Sequence, residues 1–161
     1  MNNFSRIPFS DWIKGAYNRV AIIKPSFSDI SCLQQYAPTQ FEDDGLGAGQ
    51  ELLFRHQSGI QLALVDRYFP TGPNLTTIDM VPTDPMTPIV LDEFLAWLGI
   101  GAADLTWLSP LITLPSYNLW RQDDNGQTFH IETVSGLGEA VRRVKAFEAL
   151  GHKQCYWYEQ A

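Results

Sequence analysis

The chain is poor in the residues that usually announce a chemistry. It carries two cysteines and three histidines in 161 residues. Cys32 and Cys155 are far apart and show no CxxC spacing, so they read as two reduced core thiols of a cytosolic protein. His56, His130 and His152 are too scattered to form a metal set. No GxxxxGK[ST], HExxH or GxSxG pattern occurs, which removes the motif-based case for nucleotide, zinc-protease or serine-hydrolase chemistry. No apolar run approaches the ~18 residues of a membrane span, and Asp92, Glu93 and Asp104 interrupt the longest one. The opening "MNNFSRIPFSDWIKG" has neither the basic nor the apolar region of a signal peptide. The expectation is a soluble, cytoplasmic protein with no cofactor and no membrane contact.

Positive charge is also scarce. Eleven Lys and Arg face 18 Asp and Glu, for a net charge of −7. Phosphate backbones are held by basic stripes, so nucleic acid is not the expected partner. The imbalance is local. Residues 42–93 hold nine acids (Glu42, Asp43, Asp44, Glu51, Asp66, Asp79, Asp84, Asp92, Glu93) against Arg55 and Arg67, and the rest of the chain is neutral. Scattered acids serve solubility, whereas a window of them suits a face that meets a basic protein.

What is plentiful is apolar. Hydrophobic residues make up 45% and aromatics 12%, which fits a globular chain. A domain of this size buries roughly 70% of its unfolded surface and needs no disulfide or metal to hold it. One domain over residues 1–161 is expected, with a two-lobed organisation (1–100 and 101–161, sharing a core) as a variant.

Along the chain, Ser10 and Asp11 predict a helix over 10–18, followed by a strand at "VAII" (20–23). A second helix is expected from Ser28 to Tyr36, ending before Pro38, and then a loop, "TQFEDDGLGAGQ". "ELLFRHQSGIQLALVDRYF" is a hairpin turning at "HQSG", and "TTIDMV" (76–81) is a further strand. Thr87 as N-cap and Pro88 at N1 start a helix that closes at Gly99. "ADLTWLSPLITLP" reads as a helical turn plus a short strand. Asn125-Gly126 turns a second hairpin, Ser135 caps a helix over 137–150, and "KQCYWYE" closes the chain as a strand. The predicted fold is α+β: a mostly antiparallel sheet of five to seven strands, about four packed helices, and a C-terminal ββαβ unit.

The consecutive aromatics of "YWY" divide by alternation. Phe129, Ile131, Cys155 and Trp157 are expected to floor the last helix. Tyr156 and Tyr158 would then share the opposite face with His130, Glu132 and Gln154. His130 and Glu132, two apart on one strand face, have the form of an acid/base or ligand pair, although a hydrogen bond between them accounts for the pair without chemistry. "GLGAG" (45–49) lacks the strand and spacing of a dinucleotide loop, and the acids of "EDDG" do not alternate as in a calcium loop. Asp66, Asp79 and Glu51 could meet at neighbouring strand ends around Mg²⁺, but no lysine follows them at nuclease spacing.

Three functional readings follow. The first is a binding protein that occludes a basic partner, in the manner of a bacterial immunity or antitoxin-type inhibitor. Its contact set would be Glu42, Asp43, Asp44, Asp66, Asp79, Asp84, His130, Glu132, Tyr156 and Tyr158, with no catalytic residue and no metal. The second is a small hydrolase near His130, Glu132 and Tyr156. The third is a self-associating module that dimerises through the tyrosine face.

Overall fold

Alternation along three consecutive strands builds the centre of the molecule. The computed structural model describes residues 3–12, 17–42, 47–68, 75–80 and 85–161. Strands β4 (Gly49–His56), β5 (Gln61–Arg67) and β6 (Leu75–Met80) form an antiparallel meander. Leu52, Phe54, Leu62, Leu64, Ile78 and Met80 point to one side and are fully buried. Helix α1 (Thr87–Leu98) covers that side with Val90, Leu91, Phe94, Leu95 and Leu98. Phe94 meets Phe54 at 5.6 Å and Phe4 at 5.0 Å between ring centroids. The β4–β5 turn closes as its composition predicts: Gly59 sits at φ 92°, a region side chains disfavour, and His56 N–H donates to Ile60 O at 2.8 Å.

The meander is extended into a seven-stranded antiparallel sheet. Beyond β6 lie β2 (Asn18–Ile23) and then β7 (Leu105–Leu108). The free edge of β4 is shared by β1 (Phe4–Arg6) at one end and β3 (Thr39–Phe41) at the other. A second, three-stranded antiparallel sheet has the order β10-β8-β9, with β8 (Ser116–Gln122), β9 (Thr128–Ser135) and β10 (Cys155–Gln160). Helix α2 (Leu137–Glu148) packs on this sheet and against α1. The close approach of the two helices requires Gly138, where a Cβ would collide with the Ile100 carbonyl.

The expected fold therefore needs correction. Among the described residues there are ten strands in two sheets of seven and three, and two α-helices rather than about four. The helix expected over 10–18 is a 3₁₀ turn at Phe9–Asp11; residues 13–16 lie outside the described residues, and Asn18 already belongs to β2. The helix expected over 28–36 is two 3₁₀ turns, Phe27–Asp29 and Ser31–Leu33, separated by Ile30 at φ −96°, ψ 103°. Local bonds stop the first turn from propagating: the Asp29 carboxylate accepts from Ser26 N–H at 3.2 Å and Ser26 Oγ–H at 3.1 Å. The kink lets Phe27, Ile30 and Leu33 all enter the core. The segment read as a loop contains β3 and the start of β4.

Helix α2 is capped differently from the expectation. Ser135 ends β9, and Gly136, at φ 88°, makes the turn into the helix. The acceptor for the first helical N–H is Asp92 of α1, whose Oδ1 receives Leu137 N–H at 2.6 Å. Helix α1 starts one residue earlier than its caps predict, with Met86 at the N-cap and Pro88 in the first turn. No helix among the described residues is long and apolar enough to cross a membrane.

Candidate functional site

The closing strand alternates as expected but with its faces reversed. Tyr156 stacks on Phe147 of α2 at 5.4 Å, and Tyr158 packs edge-on to Tyr117, whose hydroxyl donates to Asp92 of α1 at 2.8 Å. The tyrosines are thus on the helix side with Leu119, which is completely buried. Trp157 lies directly opposite Trp120, which lies directly opposite His130, on the side away from the helices. The Trp120 and His130 rings are 5.2 Å apart. Cys155 is exposed, so it is not a core thiol. His130 and Glu132 do not share a face either. A bulge in β9 breaks the register between Trp120 and Leu119 of its partner, leaving Ile131 as the extra residue. His130 then bonds Thr133 Oγ1 at 3.2 Å on the outer side, while Glu132 lies 3.8 Å from Arg143 of α2. The two do not form an acid/base pair.

The acidic window also divides. Asp43, Asp44 and Asp84 lie outside the described residues. Asp66 points into the α1 side of the sheet, 1% exposed, where Gln50 Nε2 donates to it at 3.2 Å. Glu51 and Asp79 have the opposite parity and point to the other side, as do Leu53, Ala63, Val65 and Arg67. Asp66 therefore cannot join Glu51 and Asp79 around one metal ion. Among the described residues no group of three or more His, Cys, Asp or Glu is placed to hold one.

On that second side of the seven-stranded sheet, some of the described acids of the window do meet. Glu42, Glu51 and Asp79 line a cleft of about 350 Å³ floored by Ala63 and Val65. One wall is Trp12 stacked on Tyr17, with centroids 4.0 Å apart and planes 18° from parallel. The other is Phe41, with the Arg67 guanidinium 5.1 Å over its ring. The first wall is pinned to the sheet by Gln61, which accepts from Tyr17 Oη–H at 3.3 Å and donates to Asp11 O at 3.0 Å. Arg67 is held from its far side by the Gly47 carbonyl at 3.1 Å.

No protein-family model, curated protein or solved structure matches the chain. The chemistry of the cleft must be argued from its own groups.

Burial pushes the Asp79 carboxyl above its ordinary range, and Arg19 at 3.8 Å, the Thr77 hydroxyl and Arg67 offset this only in part. Asp79 Oδ1 is shielded from solvent and has no hydrogen-bond partner among the described residues. Glu51 is likewise raised by burial, with Arg67 pulling the other way, and burial raises Tyr17. Partly buried carboxylates between flat aromatic faces present what a guanidinium or ammonium group requires: oxygens to accept its N–H donors and π-faces to attract its charge. An incoming cation would also favour the ionised forms of Asp79 and Glu51.

Two residue sets here were not identified from sequence. The Trp12–Tyr17 wall joins segments whose connection to the sheet no local pattern reveals. The other set surrounds His56, 5% exposed, which accepts at Nδ1 from Ser58 Oγ–H at 2.8 Å and faces Glu93 Oε2 through Nε2 at 3.2 Å. The Ser58 backbone N–H also points at Nδ1, at 3.2 Å, and Asn3 donates to Glu93 at 2.8 Å. With both donors of the turn converging on one nitrogen, this array closes the β4–β5 turn and ties it to α1.

Proposed function

We propose that this protein is a small cytoplasmic binding protein that occludes a basic protein partner, in the manner of an immunity or antitoxin-type inhibitor. An arginine or lysine of the partner would enter the cleft between Trp12, Tyr17, Phe41, Glu51 and Asp79. The observation that carries the reading is the convergence of Glu42, Glu51 and Asp79, from three separate segments, on one aromatic-walled cleft. Burying a carboxylate beside an apolar floor costs stability, so its retention is explained when a cation completes the site. The negative balance of the chain would speed the encounter with a basic partner and make it salt-sensitive.

The test uses a defined probe. Hexa-arginine, hexa-lysine and hexa-glutamate peptides are titrated against the wild type and the Glu51→Gln/Asp79→Asn double variant, followed by tryptophan fluorescence and calorimetry. The wild type is expected to bind the cationic peptides, arginine best, with affinity falling as salt rises. Each lost charged hydrogen bond is worth about 1.5–3 kcal/mol, so the double variant should bind at least about tenfold more weakly. An Asp123→Asn/Asp124→Asn control, far from the cleft in the β8–β9 turn, should bind as the wild type does. Equal losses in both double variants would mean that general charge, and not the cleft, holds the peptide, and the reading would fall.

A further inference from the structure

The three-stranded sheet and the end of α2 enclose a second, larger cleft of about 560 Å³, within the range of small-molecule sites of about 300–1,000 Å³. Its chemistry is the inverse of the first. No carboxylate of the described residues lines it. Phe129 and Ile131 form one wall and Phe147 and Leu150 the other, and two of these remain unusually open: Leu150 is 63% and Phe129 38% exposed. Exposed apolar side chains around a concavity mark a surface that gains by being covered.

Polar donors converge at one end. Arg121, in the central strand β8, lies 5.1 Å over the Phe129 ring and makes no ion pair with any described residue. Across the strand pair, Tyr156 Oη–H donates to Gln154 Oε1 at 2.8 Å. This bond fixes the amide so that its Nε2 donors are left without a partner among the described residues. His130 and His152 also line the cleft. The nearby acids are directed elsewhere: Asp123 Oδ1 accepts the Asn125 and Gln127 N–H groups of the β8–β9 turn, and Glu148 lies outside the lining. In a chain of net charge −7, a guanidinium left without a carboxylate beside a free amide donor is a site for an anion.

We propose that this cleft binds a small aromatic carboxylic acid, with its carboxylate on Arg121 and Gln154 and its ring between the Phe129–Ile131 and Phe147–Leu150 walls. The flat apolar walls select an aromatic body, and the planar fork of Arg121 selects a planar anion. This site is independent of the basic-partner cleft, which lies on the other sheet.

The probe is 3-phenylpropionate, compared with 3-phenylpropanol and 3-phenylpropylamine, by calorimetry and by amide chemical-shift changes in the full chain. A ligand of this size is expected to bind in about the millimolar range or tighter. Shifts should cluster at residues 121, 129–131, 147–150 and 154–156. The alcohol should bind at least tenfold more weakly and the amine not at all. Arg121→Gln should reduce carboxylate affinity to that of the alcohol without changing alcohol binding, which separates a lost charge contact from a damaged fold. Leu150→Arg, at a largely exposed position, should block entry of the carboxylate and the alcohol while leaving the unfolding midpoint unchanged. No saturable shift with the carboxylate, equal affinity for the amine, or unchanged carboxylate binding in either variant would overturn the proposal.

Discussion

Asp92 holds the two helices and the two sheets in one arrangement, and its removal has a calculable cost. The carboxylate is 1% exposed and sits mid-way along α1. It accepts Leu137 N–H at the start of α2 and Tyr117 Oη–H from β8. Asp92→Ala deletes a helix cap worth about 1 kcal/mol and leaves the half-buried Tyr117 hydroxyl without its acceptor, for a further 1–3 kcal/mol or so. Working against this is relief of a desolvated charge: burial raises the Asp92 carboxyl despite both hydrogen bonds. The net expectation is a loss of about 2 kcal/mol. With an m-value of ~2 kcal/mol/M, the urea midpoint read by tryptophan fluorescence falls by about 1 M, and Tm falls by roughly 4–8 °C for a chain of this size. Asp92→Asn, which keeps an acceptor for Leu137, should lose less. The pH dependence carries a definite sign. Because its folded-state pKa lies above the ordinary 3.8, the stability from protonated Asp92 is present at low pH and is lost as pH rises from that value through the raised one. Asn does not titrate there, so the advantage of wild type over Asp92→Asn is greatest in acid and shrinks on raising the pH. A midpoint change in Asp92→Ala equivalent to less than about 0.5 kcal/mol, at unchanged m-value, would refute the assignment of Asp92 as the link.

Glu139 titrates with the opposite sign. It is 6% exposed and accepts from Arg142 at 2.5 and 3.0 Å, Arg143 at 2.9 Å and Ala102 N–H at 3.2 Å, and these bonds hold its carboxyl below the ordinary range. Glu139→Gln should cost about 2 kcal/mol at neutral pH, discounted because both arginines are about half exposed, and this cost should vanish as pH falls through the lowered value; urea midpoints across acid pH check it. The two cysteines should react unequally: exposed Cys155 labels rapidly in the folded protein, whereas Cys32, raised by burial and donating to Trp97 O at 3.5 Å, labels fully only on unfolding, as a timed thiol assay would show.

What the chain discloses depends on how locally each feature is decided. Both hairpins are legible because their turns are local: Gly59 supplies its own backbone geometry, and the Asp123 side chain ties the residues around Asn125-Gly126. The β10 alternation is equally local, but its direction is not. Tyr156 and Trp157 are similar in apolar area, so hydrophobicity does not say which faces inward. The choice is made by the neighbours, since pairing with β8 puts Tyr156 and Tyr158 in line with Arg121 and Leu119, and Leu119 is the residue under the helices. In β9 one extra residue, Ile131, defeats the count altogether, which is why His130 and Glu132 appear paired in the sequence and part in the fold. The N-terminal third misled for a related reason: Phe27, Ile30 and Leu33 recur at helical spacing, yet core packing and the Ser26–Asp29 bonds satisfy them with two short turns.

The acidic cleft lay between these cases. Its floor was within reach, because a four-residue turn fixes the β4–β5 register and alternation then sends Glu51, Ala63, Val65 and Arg67 to one side and Asp66 to the other. Extending the meander to β6 adds Asp79 to the same side, opposite Ala63. Asp79 and Asp66, equal members of an acidic window in the sequence, are thereby separated by parity alone: one lines the cleft beside Arg19, the other is buried on the opposite face, against Gln50 and the Phe27 N–H. The aromatic wall was out of reach, because the contact of Trp12 and Tyr17 with the sheet depends on a Gln61 side chain about 45 residues away, whose partners only the folded chain brings together. Acidic composition thus marks the segment that the proposed basic partner would meet, and strand parity selects which of its carboxylates line the cleft.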